Sequence, residues 1–280
     1  MHSAHQQHPA AWGQPLTAHQ QFEQYSTFPV GNTPRYNATT DPVAHTQQPL
    51  VTGTSVIGLK YKDGVMLAAD TLGSYGSLAR FRDIERLHAL GTHTVIGVAG
   101  DMSDYQYLKK ELDAILREET TLKLTDNHPP LSPSNLYTFL ANLFYGRRSQ
   151  INPLWNALLV GGWDFEKNEP FLGYVDLLGT TYTAPTLATG FGAHLAQPLL
   201  REAFEAKAGT DGKGDLLTDE EAEKLLDECM KVLFYRDARS INKYQIARVT
   251  KEGVSVSDSK TAPTEWGFAE SLRGYGAQVQ

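Results

Sequence analysis

The order of strand-like and helix-like segments is the feature that most limits how this chain can fold. Apolar, β-branched residues fill 55–61 and 64–69, and Lys62-Asp63 between them is typical of a hairpin turn. The later predicted segments are, in chain order, a strand at 93–99, helices at 103–119 and 134–147, strands at 157–161, 171–176 and 186–188, helices at 192–206 and from 218, and strands at 244–249 and 254–257. Because strands and helices come in blocks, the pattern favours an α+β domain with helical pairs covering sheet faces over a doubly wound parallel sheet.

Two of the predicted helices begin with a capping box. Ser103 is followed three residues later by Gln106, and Thr218 is followed by Glu221. The inner face of the helix after Thr218 carries Cys229, which we expect to be a small buried apolar residue. Since Cys229 is the only cysteine, an internal disulfide and a cysteine-based zinc cluster are excluded.

The first 50 residues differ from the rest of the chain. They hold five of the nine histidines and six of the fourteen prolines, with no lysine, and their apolar residues show no regular period. Such a segment cannot supply a core, so residues 1–45 are predicted to be an extended or flexible leader. The folded domain is predicted to cover residues 46–264, and residues 265–280 form a C-terminal extension.

Charge and motif content exclude several functions. The formal net charge of −7 argues against nucleic-acid binding through the overall field of the chain. Neither a membrane span nor a secretory signal is readable, and phosphate-loop, His-Glu-x-x-His and Cys-x-x-Cys motifs are missing from the sequence. The single cysteine fits a reducing compartment, and the cytoplasm and nucleus are the expected locations.

Several segments carry a resemblance to a known family. Residues 52–55 (TGTS) with 64–70 (GVMLAAD), 97–101 (GVAGD) and 235–240 (YRDARS) resemble the beta-type subunits of the proteasome. Residues 72–81, 152–156 and 187–193 are similar to one member of that family in particular, and the resemblance extends over residues 46–280. It implies a four-layer αββα sandwich of the N-terminal nucleophile hydrolase type.

The resemblance also implies partners and a role. The chain would occupy a stacked-ring particle, the 20S core, together with other alpha and beta subunits in ATP- and ubiquitin-dependent protein degradation. It implies no cofactor, no metal, no nucleic acid and no membrane.

In active members of the family a threonine hydroxyl attacks the peptide carbonyl, and the free α-amine of the same residue, or a neighbouring lysine, handles its proton. An α-amine titrates near pH 8 and can act as a base, whereas an amide nitrogen cannot. Thr54 matches this nucleophile, and Gly53 precedes the bond that must be cut. The other matching positions are Asp70, which orients a lysine in active members, Gly100, whose N–H serves as the oxyanion donor, and Asp237 with Ser240, which support the amine.

Two positions depart from the active pattern. Arg86 stands where active members have lysine, and an arginine stays protonated near neutral pH. Phe191 replaces a serine that would bind the amine. The resemblance further implies cleavage between His45 and Thr46, which would leave residues 46–53 in front of Thr54.

The sequence therefore favours a non-catalytic ring subunit and leaves alternatives open. One is an active threonine endopeptidase with Thr54 as nucleophile, and another is a free-standing hydrolase of small amides. The matching residues also have structural interpretations: Asp70 and Arg86 as an internal ion pair, Asp237 as a cap of local backbone, and Gly100 as a strand-to-helix turn.

Two further sets of residues follow from the resemblance. The positions matching the specificity pocket of active members are Gly73, Ile84 and Val98. The C-terminal extension would reach across to the opposite ring, with anchors predicted at Trp266, Phe268, Leu272 and Tyr275.

Overall fold

A computed structural model of the chain describes residues 48–126, 131–209 and 214–267, without the side chains of 122–126. The strands are β1 Val51–Gly53, β2 Val56–Tyr61, β3 Gly64–Asp70, β4 Gly73–Tyr75, β5 Leu78–Phe81, β6 Leu87–Leu90, β7 Thr94–Asp101, β8 Asn156–Asp164, β9 Glu169–Asp176, β10 Thr181–Thr183, β11 Thr186–Ala188, β12 Lys243–Thr250, β13 Gly253–Val256 and β14 Lys260–Thr261. The helices are α1 Met102–Asp126, α2 Pro133–Ser149, α3 Gly192–Leu195, α4 Gln197–Ala208 and α5 Asp219–Arg236.

The strands form two antiparallel sheets. The larger sheet has the order β10-β9-β8-β7-β1-β4-β5, and β6 also pairs with β7. The smaller sheet has the order β11-β2-β3-β12-β13, and β14 pairs with β12. Strand β1 thus lies inside the larger sheet, between β7 and β4, and it leads directly into the smaller sheet.

The structure has four layers, two sheets between two layers of helices, and an apolar cluster fills each of the three spaces between them. Residues such as Val65, Leu67 and Leu159 fill the space between the two sheets. One outer layer joins α1 and α2 to strands β7–β9 of the larger sheet, and the other joins α3, α4 and α5 to the smaller sheet. Burial of these apolar faces supplies the main driving force for folding, and the predicted αββα sandwich is confirmed.

The N-terminus of α1 differs from the sequence prediction. The carboxylate of Asp101 accepts the backbone N–H groups of Ser103 and Asp104, at 3.0 and 3.1 Å, so α1 begins at Met102 and is capped by Asp101. The predicted start at Ser103 was wrong because a charged acceptor two residues earlier, Asp101, binds the free N–H groups more strongly than a hydroxyl.

The predicted helix over 192–206 is divided in two at Ala196. Pro198 lies in the first turn of α4. Because proline has no backbone N–H, it cannot donate to the carbonyl of residue 194, and a continuous helix would lack that hydrogen bond. The capping box of Thr218 and Glu221 at the start of α5 is confirmed, as is the hairpin of β2 and β3.

Within the described ranges, none of the helices is both long and apolar enough to cross a membrane. In the same ranges, His, Cys, Asp and Glu side chains do not gather in groups of three or more that could hold a metal ion.

Cys229 is buried as predicted, and its thiol should therefore be unreactive in the folded chain. Its side chain lies in the core beneath α5 with no exposed surface, and burial raises the pKa of the thiol to about 12. Because the thiolate is the reactive form, the folded chain should not react with an aromatic disulfide reagent near pH 8, whereas the chain in denaturant should react at once. Rapid labelling of the folded chain, measured by absorbance, would contradict this burial.

Candidate functional site

A cleft of about 320 Å³ opens where β1 and β7 end. Its lining includes Thr54, Gly100, Asn156, Phe191 and Asp237. The larger sheet, the turn before α3 and the loop after α5 all contribute, so the fold brings together residues that are far apart in the sequence.

Thr54 connects β1 of the larger sheet to β2 of the smaller sheet. Its hydroxyl donates a hydrogen bond to one carboxylate oxygen of Asp237. The other oxygen of Asp237 accepts the N–H of Arg239 at 2.9 Å, so this carboxylate also organises the loop that follows α5. The nitrogen of Thr54 is the amide nitrogen of the bond to Gly53.

The residues before Thr54 are built into the larger sheet. Gly53 lies opposite Gly100 of β7, and Thr52 lies opposite Ser74 of β4. Antiparallel pairing on both sides means that β1 takes the central position that an extended peptide would need to pair with these two strands.

Arg86 lies directly beneath this strand and is 1% exposed. Its Nε–H donates to the carbonyl of Asp70 at 2.9 Å, and Nη1 donates to the carbonyls of Thr54 and Val98 at 2.7 and 3.1 Å. Nη2 donates to the carbonyl of Ser55 at 3.0 Å and to the carboxylate of Asp70. A guanidinium has five N–H donors, and all five are used.

Asp70, at the end of β3, is 2% exposed and completes this cluster. One carboxylate oxygen pairs with Arg86, and the other accepts the N–H of Ile241 at 3.0 Å. Burial raises the pKa of the Asp70 carboxyl, and the charge of Arg86 and the N–H of Ile241 oppose that rise. The pair therefore joins the end of β3 and the segment before β12 to Thr54 and Ser55, the two residues that precede β2.

Gly53 is required for β1 to lie on Arg86. A Cβ atom at residue 53 would stand 2.5 Å from Cδ of Arg86 and 3.0 Å from Cε of Met102. Because the guanidinium is fixed by its five acceptors, the side chain could not move aside without losing hydrogen bonds.

Gly100 ends β7 with a φ of 98°, a conformation that side chains disfavour. A Cβ atom there would stand 2.1 Å from the carbonyl oxygen of Trp155, which accepts the N–H of Asp101 at 2.8 Å. The position thus forms the strand-to-helix turn that one interpretation of the sequence expects, and it also faces the cleft.

Ser240 and Phe191, two predicted site residues, lie at the end of α5 and at the wall of the cleft respectively. The hydroxyl of Ser240 donates to the carbonyls of Leu233 and Asp237, at 3.2 and 2.8 Å, so its proton is used at the end of α5 and not toward Thr54. Phe191 lines the cleft and is 60% exposed.

The residues that match a specificity pocket do not line the cleft in the described part of the chain. The side chains of Ile84 and Val51 both lie against Gly73. A Cβ atom at residue 73 would stand 2.3 Å from Cδ1 of Ile84 and 3.3 Å from Cγ1 of Val51. A side chain of β1 therefore lies against the residues that would form such a pocket.

Sequence reasoning did not single out Asn156 or Ser55 as site residues. The amide of Asn156 donates to the carbonyls of Ala99 and Asp101 at 3.1 and 2.9 Å, and its buried Oδ1 has no partner among the described residues. The hydroxyl oxygen of Ser55 accepts the N–H of Gly192 at 2.8 Å, which fixes the turn that carries Phe191. A polar residue at the start of an apolar strand was the available signal for both.

Part of the predicted set lies outside the described residues. This concerns the processing residues His45 and Thr46 and the anchors Phe268, Leu272 and Tyr275. Trp266 is half-exposed and packs edge-on against Tyr235 of α5, with ring centroids 5.2 Å apart. The hydroxyl of Tyr235 also accepts the N–H of Glu265 at 2.8 Å, so the start of the extension is bound to the last turn of α5.

Comparisons with known proteins agree on one family. A family model described as Proteasome subunit matches residues 50–249. The chain is 50% identical over 234 residues to Proteasome subunit beta type-4 of Xenopus laevis, covering 84% of this chain and 92% of that protein. It is 44% identical over 274 residues to Proteasome subunit beta type-7 of Saccharomyces cerevisiae, covering 96% of this chain and 98% of that protein. Probable proteasome subunit beta type-7 of Schizosaccharomyces pombe is 45% identical over 252 residues, which are 90% of this chain and 93% of that protein.

Proposed function

The chain belongs to the proteasome subunit family, among its beta-type members, and on this basis we propose that it is a non-catalytic beta subunit of the 20S core particle. In that role it fills one place in a beta ring and contacts other alpha and beta subunits. It supports ATP- and ubiquitin-dependent protein degradation through assembly and inter-ring contacts, while neighbouring subunits cleave the peptides. The observation that carries the proposal is that all five N–H donors of the Arg86 guanidinium, beside Thr54, are already hydrogen-bonded.

Arg86 cannot perform the proton transfer that a lysine could perform at this position. Its side chain remains charged at any pH near neutrality, and each of its N–H groups already serves a fixed acceptor. A general acid or base must give up and regain a proton during the reaction. In this chain the residue acts as a structural clamp on the carbonyl groups around Thr54.

The position of β1 gives independent support. In the proposed mature subunit, cleavage ahead of Thr46 leaves β1 attached, so the nitrogen of Thr54 stays an amide. That strand pairs with β7 and β4, and Val51 lies against Gly73 and Ile84. An extended substrate would have to displace β1 before it could pair with β7 and β4 beside the hydroxyl.

An active threonine endopeptidase is the second candidate, and one contact favours it. Thr54 follows Gly53, and its hydroxyl donates to Asp237, a contact that an activated nucleophile could also use. This candidate requires cleavage of the bond between Gly53 and Thr54, removal of β1 and another proton carrier in place of Arg86.

The C-terminal extension supplies the proposed inter-ring contact. Trp266 and the bond between Glu265 and Tyr235 hold its first residues against α5. We therefore place the exit of the extension at the end of α5, from which Phe268, Leu272 and Tyr275 would reach the partner ring as aromatic and aliphatic anchors.

Restoring the residue types of active members should not restore catalysis. In the double variant Arg86→Lys/Phe191→Ser, the nitrogen of Thr54 is still an amide and β1 still pairs with β4 and β7 beside the cleft. We expect no labelling of this subunit when purified particles are treated with an electrophilic peptide probe for threonine nucleophiles and analysed by intact-mass spectrometry.

The probe's reaction with other subunits of the same particle serves as the internal positive control. The variant Thr54→Ala is the matched negative control, since it lacks the hydroxyl. Labelling of the wild-type subunit that disappears in Thr54→Ala would favour the endopeptidase and refute the proposed role.

A further inference from the structure

The cleft beside Thr54 carries two exposed aromatic side chains that the proposed structural role does not use. Trp155 is 39% exposed and Phe191 is 60% exposed, and both line the cleft together with Leu177. Large apolar side chains left exposed around a concave surface are typical of ligand sites. The cleft can therefore bind a ligand even where no reaction takes place in it.

Backbone hydrogen bonds hold both aromatic residues in place. The N–H of Trp155 donates to the carboxylate of Asp104 at 2.8 Å. The N–H of Gly192, next to Phe191, donates to the hydroxyl of Ser55 at 2.8 Å. The wall of the cleft is thus formed before a ligand arrives, and a preformed site loses less conformational entropy on binding.

The charge that this cleft offers to a ligand is positive. Among the described residues that line it, Asp237 and Arg239 are the charged ones. The carboxylate of Asp237 is buried, and its two oxygens accept the hydroxyl of Thr54 and the backbone N–H of Arg239. The side chain of Arg239 is exposed, and it makes no ion pair or hydrogen bond with another described residue.

A carboxylate is the anion that suits this guanidinium. Arginine binds carboxylates and phosphates through two parallel N–H donors. Because the negative charge of Asp237 lies in the same cleft, a singly charged carboxylate is repelled less than a doubly charged phosphate. The ligand should therefore combine an apolar group with a carboxylate.

The volume and the neighbouring strand limit the length of the ligand. The cleft measures about 320 Å³, at the lower end of the range of about 300–1,000 Å³ for ligand sites. Since β1 already pairs with β7 and β4, an extended peptide cannot add to these strands. The cleft therefore matches the last one or two residues of a peptide.

We propose that the cleft binds, without covalent reaction, the carboxyl-terminal end of a peptide whose last residue is apolar. The apolar side chain would contact Trp155 and Phe191, and the terminal carboxylate would pair with Arg239. The inference rests on the proposed function, because cleavage by neighbouring subunits is the reaction that creates such carboxylates in the particle. It assigns a class of ligand to a subunit that does no chemistry.

Photo-crosslinking of purified particles tests this binding. The probe is an acetylated tripeptide, alanine-alanine-photoleucine, with a free terminal carboxylate. After irradiation, we expect mass spectrometry to locate a crosslink on the cleft residues of this chain. The same tripeptide with a terminal carboxamide is the matched control. It should crosslink about twofold to fivefold less, because it cannot form an ion pair with the guanidinium.

Two pairs of variants separate the charge from the apolar wall. Arg239→Gln should lower crosslinking of the acid to the level of the carboxamide, whereas Arg236→Gln, at an exposed position outside the cleft lining, should not change it. Phe191→Ser should lower crosslinking about threefold to tenfold. Phe165→Ser removes a half-exposed ring outside the cleft lining and should leave crosslinking as in the wild type.

A missing light-dependent crosslink, or one that lies outside the cleft, would overturn the inference. Equal crosslinking of the acid and the carboxamide to the wild-type chain would overturn it as well. In each case the proposed function stands if the chain is present in the particles. Absence of the chain from purified particles would refute the proposed function and this inference with it.

Discussion

Replacing Arg86 with methionine is expected to lower the free energy of unfolding by about 3 to 5 kcal/mol, the cost of leaving a buried charge without its partner. The variant leaves the buried carboxylate of Asp70 without its charged partner and removes the hydrogen-bond donor of four carbonyl groups. Denaturant unfolding of the purified chain measures the change, and the fraction of the variant in particles should fall in parallel.

The loss should also depend on pH. Without the guanidinium, burial would hold the pKa of Asp70 further above its unfolded value of about 4. An acid that binds its proton more tightly when folded makes the free energy of unfolding fall as pH rises from the unfolded pKa to the folded pKa. The variant should therefore be least impaired near pH 4, and adding Asp70→Asn should recover part of the loss near neutral pH.

The matched control for this variant is Arg201→Met. Arg201 is exposed on α4 and pairs with Glu205 one turn later, an arrangement worth about 0.5 kcal/mol or less. A loss at Arg86 as small as the loss at Arg201 would mean that the buried cluster does not hold the site together.

Replacing Gly100 with alanine should be nearly as damaging. The backbone at Gly100 has a φ of 98°, and the new Cβ would stand 2.1 Å from the carbonyl oxygen of Trp155. Strain of this conformation and the steric overlap together should cost about 2 to 4 kcal/mol. Denaturant unfolding again gives the change, and the N–H of Asp101 should lose protection from hydrogen exchange.

Gly146→Ala is the control, because it should change the free energy of unfolding in the opposite direction. Gly146 lies within α2, and a Cβ atom there would meet nothing within 4 Å. Alanine in a helix interior should stabilise the chain by about 0.5 to 1 kcal/mol. Destabilisation of similar size by both substitutions would refute the special geometry of residue 100.

The long apolar segments were predictable from the sequence because their periodicity reports burial. The hairpin of β2 and β3, the strands β7, β8 and β9, and the helix α5 with its capping box follow this rule. The strands β1, β4, β5, β6, β10 and β14 were not predicted, since each has only two to four residues and too few positions to show a period. Their pairing is decided by neighbours that are distant in the sequence.

The same limit applies to the site. The replacement of lysine by Arg86 is visible in the sequence, and it predicts an ion pair with Asp70 that the structure contains. The other four bonds of Arg86 go to backbone carbonyls, whose positions depend on the fold and not on residue type. For the same reason, the sequence could not show that Ser240 would turn to the end of α5 or that Val51 would lie against Gly73.

Intact-mass and N-terminal analysis of this subunit from purified particles measures whether β1 stays attached to Thr54 in the assembled particle. We expect a mature chain that begins at Thr46, keeps β1 and is not modified by an electrophilic threonine probe. A mature chain that begins at Thr54 and gains the mass of the probe on that residue would contradict it.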